Sequence, residues 1–413
     1  MFDKFFNDEK NKKKGEKEEE KKEKEEEKDE EKEDLFGDLD FYEMDDDYYI
    51  NNCNNFRIDK RSKRIIFSKN TILNSNNLNN TKYLIVKGLG TGAFSNVYLA
   101  YAKNKTDLNF NFKKKYVLKT TRCKNLYTKQ AVKEYQSYNK LDNKSKFIIH
   151  HIDFFNIPNE TSIMTPCLVL EYYDENFYNY MKNNFRKYYG LDVNILLIVT
   201  RTMIHGISFL HQHGIIHCDL KPENIVIDRE NKCKIIDLGS AIKIGYKDKA
   251  CYMQSRYYRS PNCIVACDIN PRIDYWSIGC VMYEALTMIP LFAKQNEHDI
   301  LLKQLRFIEI PFDKINYSCP LVFSLWNYHD KKWRFNVEKT NLFDYLNYVI
   351  RSKNINRISH ENNWIYNTDT GYCSLIKMCI LDHYKIGTND YTKQFEIMEM
   401  KYNESKFPPI ATV

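Results

Sequence analysis

The 413-residue sequence predicts an α+β fold made of a small, β-rich lobe and a larger, mainly helical lobe. The chain is 43% apolar and 14% aromatic, so it can bury a core, and its length favours more than one folded unit. Runs rich in β-branched and aromatic residues lie between residues 83 and 172, and an apolar helical pattern follows at residues 191–213. These observations place the strands in the first lobe and most helices in the second.

Charge is distributed unevenly along the chain. Residues 1–50 carry 11 Lys and Arg against 22 Asp and Glu, a net charge of −11, whereas the remaining residues carry 51 against 33, a net charge of +18. We expect residues 1–50 to form an acidic, Lys- and Glu-rich disordered tail, because they offer too little apolar surface to offset chain entropy. The tail could dock on the basic body as an autoinhibitor, or the basic body could attract acidic partners, but Lys used simply as a solvated surface residue is the favoured interpretation.

Cysteine usage and the apolar runs indicate the compartment. The sequence contains 12 Cys, of which Cys263 and Cys267 are close enough to suggest a pair, but no second pair completes a zinc site. We therefore expect reduced thiols. The N-terminus is charged from its third residue, and the apolar run at 194–199 soon meets Arg201, so neither a signal peptide nor a membrane span is predicted. An intracellular protein, cytoplasmic or nuclear, is expected.

The first lobe is expected at residues 83–173, after an approach segment. Residues 51–82 are Asn-rich with one apolar patch at 64–67, and they predict a loosely structured approach to the fold. A strand at 83–86 is followed by a glycine-rich hairpin at 88–99. The other predicted elements are a strand at 116–119, a helix at 128–141, and two strands at 147–155 and 163–172 joined by a turn.

Two glycines of the hairpin, Gly90 and Gly92, would let backbone N–H groups approach a phosphate without a Cβ in the way. By itself this signal is weak, since a glycine-rich turn between strands is usually only a turn.

A polar loop after the apolar helix carries residues typical of a catalytic centre. Asp219 is followed by Lys221 and Asn224, and Asp237 ends a short β-branched strand at a glycine. In phosphoryl transfer, one carboxylate accepts a hydroxyl proton while an amide oxygen and a second carboxylate hold Mg²⁺ on the phosphates. This stretch supplies all three groups.

The motif H-C-D-L-K-P-E-N at 217–224, followed by D-L-G at 237–239, resembles the catalytic and metal-binding loops of eukaryotic protein kinases. Other motifs follow the order of that family: G-L-G-T-G-A-F-S-N-V at 88–97, Y-V-L-K at 116–119 and D-Y-W-S-I-G at 274–279. The resemblance covers residues 83–310 and, more loosely, 370–390. The order and spacing of several motifs make a chance match improbable.

This resemblance implies the bilobal protein kinase fold. The first lobe would hold a small, five-stranded antiparallel sheet with one main helix, and the second lobe would run from residue 174 to 413 with an insert at about 311–367. ATP would bind between the lobes, and Mg²⁺ would be the metal cofactor.

The resemblance also assigns roles to matching residues. Asp219 would accept the proton of the substrate hydroxyl, while Lys119 would bind the α- and β-phosphates with Glu134 as its ion-pair partner. The implied catalytic residues are Asp219, Lys221, Lys119 and Glu134, and the implied metal ligands are Asn224 and Asp237.

The stretch L-E-Y-Y-D-E-N-F-Y from residue 170 resembles the interlobe hinge of the dual-specificity, tyrosine-regulated (DYRK) kinases. That likeness makes Leu170 the gatekeeper, Tyr173 the backbone contact to adenine and Asn176 the ribose contact. Ser95 replaces the third glycine of the family's loop, and Val117 stands where the family usually has Ala, which should narrow the pocket roof. The implied nucleotide-binding residues are Leu89, Gly90, Gly92, Val97, Val117, Lys119, Leu170, Glu171, Tyr173, Asn176 and Val226.

Residues 250–261, A-C-Y-M-Q-S-R-Y-Y-R-S-P, resemble the activation segment of DYRK and Yak-type kinases of the CMGC group. Tyr252 matches the tyrosine that those enzymes autophosphorylate. Arg256 and Arg259 could clasp a phosphotyrosine there. Cys218 stands where most loop-regulated kinases carry Arg, and DYRK-type enzymes commonly carry Cys.

One departure concerns a buried ion pair of the family. Asn262 replaces the Glu of the family's A-P-E motif, and by the family's spacing Ile386 stands where its Arg partner belongs. Removing one partner of a buried pair costs roughly 3–5 kcal/mol, whereas replacing both can be neutral. The double change therefore indicates a compensated replacement.

Two functions of different classes are consistent with the sequence. The first is an active, ATP- and Mg²⁺-dependent kinase acting on Ser or Thr, with autophosphorylation on Tyr252; the second is a pseudokinase that binds partners without turnover. The retained catalytic and metal set favours activity. Substrates would carry Arg before and Pro after the phosphorylated residue, with Glu223 as the partner of the Arg. We expect a monomer that binds neither membranes nor, given its lack of a matching motif, nucleic acid.

Overall fold

The computed structural model describes residues 56–59, 61–75, 80–92, 94–157, 165–188, 191–246, 253–265, 269–311, 319–327, 329–330, 332–334, 336–352, 372–381, 383 and 390–406. The acidic tail predicted at residues 1–50 and the regulatory Tyr252 lie outside these residues.

Antiparallel strands build the first lobe. They are β1 (Phe56–Ile58), β2 (Ile65–Phe67), β3 (Ile72–Asn74), β4 (Lys82–Thr91), β5 (Ser95–Lys103), β6 (Asn111–Thr121), β7 (His151–Ile157) and β8 (Thr165–Glu171). Six of them form one sheet in the order β3-β4-β5-β6-β8-β7. The strands predicted for this lobe are confirmed, although β7 begins at residue 151 rather than 147.

Strands β1, β2 and β3 lie in the segment where a loose approach to the fold was expected. β1 and β2 pair as a hairpin, and β3 joins the sheet edge through β4, so the sheet has six strands rather than five. Ile65 and Phe67 are buried, and the Phe67 ring meets the Tyr98 ring edge-on at a centroid distance of 4.9 Å. The expectation of a loose segment is wrong for these residues. Each of these strands has only 3 residues, too few for an alternating pattern to stand out.

One long helix, α1 (Asn125–Leu141), packs against the sheet. Its buried residues are Ala131, Glu134, Tyr138 and Leu141, which recur at spacings of three and four and so share one face. The predicted helix is confirmed and begins three residues earlier than expected. This face brings Glu134 to the interior of the lobe.

The second lobe is mainly helical. Its helices are α2 (Phe177–Tyr188), α3 (Val193–Gln212), α4 (Pro261–Ile264), α5 (Arg272–Thr287), α6 (Glu297–Leu305), α7 (Pro320–Leu325), α8 (Leu342–Ser352), α9 (Tyr372–Leu381) and α10 (Tyr391–Lys406). Short strands accompany them: β9 (Glu175–Asn176), β10 (Ile215–Ile216), β11 (Ile225–Ile227), β12 (Cys233–Ile235), β13 (Ile242–Lys243), β14 (Trp326–Asn327) and β15 (Lys332–Trp333). Helix α5 is buried almost throughout and forms the centre of this lobe.

Helix α3 confirms the apolar helical pattern predicted at 191–213. By length and composition alone it could cross a membrane, but 61% of its most apolar window is buried inside the fold. It packs against α5 and β12, as expected of a core helix. Helices α7 and α8 and the β14–β15 pair fall within the insert expected at about 311–367.

Candidate active site

The catalytic loop follows α3 and the short strand β10, and a buried carboxylate holds it in place. Asp274, at the start of α5, accepts backbone hydrogen bonds from His217 at 2.9 Å and Cys218 at 3.0 Å, and its carboxylate also contacts His211 Nε2 at 2.8 Å. Cys218 has a φ of 65°, a left-handed conformation that a non-glycine residue rarely adopts. Asp274 therefore stabilises a strained turn of this loop. Burial disfavours its ionisation, but the bonds from His211 outweigh this and hold the pKa of Asp274 below its usual range.

Asp219 lies within a network of three other side chains. Its Oδ1 accepts from the backbone N and Oγ of Ser255 at 3.0 and 2.7 Å, and its Oδ2 contacts Lys221 Nζ at 3.0 Å. Lys221 Nζ also donates to Ser255 Oγ at 2.9 Å, and Asn224 Nδ2 donates to the Asp219 backbone oxygen at 2.8 Å. The structure thus brings together the three predicted residues of this loop. Ser255 was missed, although it belongs to the Q-S-R sequence that carried the DYRK resemblance.

Lys119 lies on β6 between two carboxylates. Its ammonium nitrogen is 3.0 Å from both oxygens of Glu134 and 2.8 Å from Oδ1 of Asp237. The Lys119–Glu134 pair joins the sheet to α1, and the contact with Asp237 joins the first lobe to the second. Burial raises the pKa of Glu134, and the Lys119 ammonium opposes that rise. The predicted ion pair is therefore formed.

Asp237 has a backbone conformation that suits its position at the end of a strand. Its φ is 66°, its Oδ1 accepts from the Gly239 backbone N at 3.1 Å, and its own N–H donates to the Tyr138 hydroxyl at 3.0 Å. Burial disfavours the charged form, but Lys119 outweighs this effect and lowers the pKa of Asp237 to about 2. About 39% of the Asp237 side chain is accessible, so the ionised carboxylate faces the cleft.

Apolar residues predicted for the nucleotide pocket lie around the junction of the lobes. Val117 and Leu170 are paired across β6 and β8, and Val226 on β11 is paired with Asn176 on β9. Val117, Tyr173 and Val226 pack against the same buried cluster that contains Leu170. Leu89 and Val97 lie on β4 and β5, on the two sides of the glycine-rich hairpin.

Two hinge residues have side-chain partners that narrow their possible roles. The Glu171 carboxylate accepts from the His150 backbone N at 2.8 Å and pairs with Lys234, so its backbone is the candidate contact for adenine. Asn176 Oδ1 accepts from the Asn179 backbone N at 2.9 Å and caps α2. Its amide nitrogen is then the group that could reach a ribose hydroxyl.

The two arginines predicted to clasp a phosphotyrosine differ in their environment. Arg259 is buried; it donates to the Gln254 carbonyl from Nε at 3.1 Å and from Nη2 at 2.9 Å, and it pairs with Glu297. Arg256 Nη1 donates to the Gln295 carbonyl at 3.1 Å at an exposed position. Arg259 is therefore already bound to the protein interior, a role that the sequence did not suggest.

The site residues fit ATP and Mg²⁺. Asn224 directs its amide nitrogen at Asp219, so its amide oxygen could serve a metal, as could the accessible carboxylate of Asp237. No group of three or more His, Cys, Asp or Glu suited to a metal occurs in the described part of the chain. A cation here would therefore need phosphate oxygens or water as further ligands. A Cβ built on Gly90 would meet no protein atom within 4 Å, which leaves open space beside the loop.

The two-lobed fold and the charges gathered in its cleft define the chain as a protein kinase. The protein kinase domain model matches residues 83–363, more than half of the chain, and the chain belongs to this family.

Within that family the chain is a DYRK-like kinase of the CMGC group. It is 30% identical over 240 residues to Dual specificity tyrosine-phosphorylation-regulated kinase 3 of Homo sapiens, which is 57% of this chain and 38% of the relative. It is 29% identical over 238 residues to Dual specificity tyrosine-phosphorylation-regulated kinase mbk-2 of Caenorhabditis elegans, covering 56% and 27%. It is 32% identical over 234 residues to Homeodomain-interacting protein kinase 1 of the same organism, covering 55% and 26%. The chain thus spans well under half the length of these relatives.

Proposed function

We propose that this chain is an active kinase that transfers the γ-phosphate of ATP to Ser or Thr of protein substrates, with Mg²⁺ as cofactor. One observation carries the proposal: Lys119 lies 3.0 Å from Glu134 and 2.8 Å from Asp237. Catalytically competent kinases need this lysine pair and the metal-binding aspartate in place together. A pseudokinase scaffold, the alternative, would not require the arrangement.

Each polar side chain has one task in the proposed reaction. Lys119 would hold the α- and β-phosphates, and Asp219 would accept the proton as the substrate hydroxyl attacks the γ-phosphorus and the bond to the β–γ bridging oxygen breaks to release ADP. Lys221, bonded to Asp219, would neutralise negative charge on the transferred group. Mg²⁺ bound by Asn224 and Asp237 would neutralise the charge on the phosphate oxygens.

The backbone at Gln254 supports selection of Pro after the phosphorylated residue. Gln254 has a φ of 64°, and two nitrogens of Arg259 donate to its carbonyl oxygen. A carbonyl so engaged is a poor acceptor for the N–H of an incoming peptide. Pro has no N–H, so it loses nothing at this position.

Two carboxylates support selection of Arg before the phosphorylated residue. Glu223 is exposed beside the catalytic loop, and Glu284 accepts a hydrogen bond from the Tyr258 hydroxyl at 2.6 Å. Burial raises the pKa of Glu284 to about 7, and the charge of Glu223 adds to the rise. An arginine of the substrate would relieve this repulsion by pairing with both carboxylates.

Autophosphorylation of Tyr252 is part of the same proposal. Cys218 is buried beside Cys263 and Ile273, so the catalytic loop offers no cation at that position to a phosphate on the activation segment. Arg256, four residues after Tyr252, is the more accessible of the two predicted partners. An intracellular monomer, with its lobes divided near residues 173 and 174, completes the proposal.

A phosphorylation assay tests the central claim. The purified chain would be incubated with Mg²⁺, labelled ATP and an array of Ser and Thr peptides, in parallel with Asp219→Asn. We expect phosphorylation by the wild type alone, while both proteins bind nucleotide, because Asp219 acts on the hydroxyl rather than on the phosphates. Nucleotide binding without any transfer by the wild type would favour the pseudokinase instead.

A further inference from the structure

A hairpin that precedes the residues matched by the kinase family model contacts the glycine-rich loop. We call residues 56–67, which contain β1 and β2, the N-terminal hairpin. Arg64 within it donates from Nη2 to the Gly92 carbonyl at 2.7 Å, and from Nη1 to the Ser95 carbonyl at 3.1 Å and to Asn96 Oδ1 at 2.9 Å. The turn between Gly92 and Ser95 is closed by a 2.9 Å backbone bond from the Gly92 N–H to the Ser95 carbonyl. One guanidinium therefore joins Gly92 and Ser95, the two ends of what we call the glycine turn.

The position of Arg64 is fixed by the next residue. The Ile65 carbonyl accepts from Asn96 Nδ2 at 3.0 Å and from the Tyr98 hydroxyl at 2.9 Å, and the Ile65 side chain is fully buried. Arg64 itself is only 7% exposed. The guanidinium is thus held by its own bonds to the loop and by the anchored backbone of Ile65, and it is shielded from solvent.

The same hairpin also reaches the start of helix α1. The Lys63 carbonyl accepts from the Cys123 backbone N at 2.7 Å, two residues before α1 begins. Within the glycine turn, the Phe94 ring lies 5.4 Å from the Tyr127 ring on α1. The N-terminal hairpin, the glycine turn and α1 therefore form one connected unit, and α1 carries the Glu134 that pairs with Lys119.

Ordering of the glycine turn before ATP binds has an energetic consequence. Glycine loses more conformational freedom on ordering than any other residue, so a glycine-rich loop fixed only by its ligand weakens binding. A planar guanidinium can bind two carbonyls and an amide oxygen at once, which a lysine ammonium cannot reproduce with the same geometry. Arg64 removes part of that ordering cost in advance.

We propose that Arg64 is a positioning residue of the nucleotide site, and that the N-terminal hairpin is a functional part of that site. The proposal rests on the proposed ATP-dependent function. Arg64 does not contact the reacting atoms; it holds the glycine turn in the shape that receives the phosphates. The hairpin lies outside the matched kinase domain, so a chain shortened to residue 83 would lack this contact.

The test compares Arg64→Ala and Arg64→Lys with Arg57→Ala in the full chain. Arg57 belongs to the same hairpin and carries the same charge, but it is exposed on β1. Arg64→Ala should raise both the KM for ATP and the Kd for a non-hydrolysable ATP analogue about tenfold, with kcat within about threefold of the wild type. The KM and Kd of Arg64→Lys should lie between those of the wild type and Arg64→Ala, and Arg57→Ala should match the wild type. Hydrogen exchange should accelerate in residues 88–96 of Arg64→Ala and little elsewhere.

Several outcomes would overturn the proposal. Equal nucleotide affinity in Arg64→Ala and Arg57→Ala would do so, as would faster exchange spread over the whole sheet, which would indicate a merely structural role. If Arg64→Ala does not fold, Arg64→Lys decides, and an unchanged affinity in that variant contradicts the proposal. A wild type that transfers no phosphate would refute the kinase function separately, because analogue affinity and hydrogen exchange do not depend on turnover.

Discussion

His383 donates from Nε2 to Asn262 Oδ1 at 3.1 Å in the interior of the helical lobe. Asn262 occupies the position at which the kinase family has a buried Glu, and the predicted replacement of its partner, Ile386, lies outside the described residues. Among the described residues, Asn262 meets the side chain of His383, which lies three residues before Ile386 in the chain. Burial lowers the pKa of His383 to about 3, so the imidazole is neutral and the pair is uncharged. An uncharged hydrogen-bonded pair thus stands where the family has a buried Glu, which agrees with the interpretation of a compensated replacement.

Breaking this pair from one side should destabilise the fold more than replacing it from both. We expect Asn262→Leu and His383→Leu each to lower the free energy of unfolding by about 1–3 kcal/mol, because each leaves a buried polar group without this partner. The double variant should lose less than the sum of the two. Denaturant unfolding of the four proteins measures the coupling, and strict additivity would show that the contact contributes nothing.

Stability should fall as the pH drops from 6.5 towards 5. The folded-state pKa of His383 is about 3 and the unfolded value is 6.5, so the unfolded chain binds more protons in this window and is favoured there. The expected slope is about 1.4 kcal/mol per pH unit once the pH is well below 6.5. Unfolding by denaturant at pH 7, 6 and 5 would measure it.

The control for that experiment is His383→Gln. Burial also lowers the pKa values of His151 and His205, so they add a slope of the same sign. The difference in slope between wild type and His383→Gln isolates the contribution of His383. Identical slopes would mean that the pKa of His383 is not lowered in the folded protein.

The proposed catalytic set could be found from the sequence because its members lie in short motifs with fixed spacing, as Asp219 and Asn224 do. The residues that were missed contact partners far along the chain. Ser255 lies 36 residues from Asp219, Arg64 lies 28 from Gly92 and His383 lies 121 from Asn262. Such pairings depend on how the elements pack, and no local pattern encodes them.

Ser255→Ala should lower kcat without weakening nucleotide binding. Ser255 donates to Asp219 Oδ1 from its backbone N–H and from its hydroxyl, and the substitution removes the hydroxyl bond, which would let the Asp219 carboxylate rotate away from the substrate hydroxyl. Loss of the hydroxyl bond, with a charged acceptor, should cost about 1.5–3 kcal/mol, a decrease of about ten- to a hundredfold in kcat. Steady-state kinetics with a peptide substrate would measure kcat and the KM for ATP separately.

Two further variants control this comparison. Ser255→Thr retains the hydroxyl and should keep most of the activity. Ser137→Ala removes an exposed hydroxyl on α1 that donates to the Lys133 carbonyl, and it should leave kcat unchanged. A Ser255→Ala protein with wild-type kcat would show that Lys221 and the loop backbone orient Asp219 without help.

Glu223→Ala should weaken the choice of substrate rather than the chemistry. Glu223 is exposed and its charge adds to the raised pKa of Glu284, which supports the proposal that the two carboxylates form one cation site for the substrate. A charged hydrogen bond is worth about 1.5–3 kcal/mol, so kcat/KM for a peptide with Arg before the phosphorylated Ser should fall about ten- to a hundredfold. A matched peptide with Ala in place of that Arg should be phosphorylated equally well by wild type and variant.

The control is Glu230→Ala, which removes an exposed carboxylate paired with Lys232 in the turn between β11 and β12. It should leave kcat/KM unchanged for both peptides. If Glu223→Ala lowers kcat/KM for both peptides by the same factor, Glu223 does not recognise Arg and the cation site lies elsewhere.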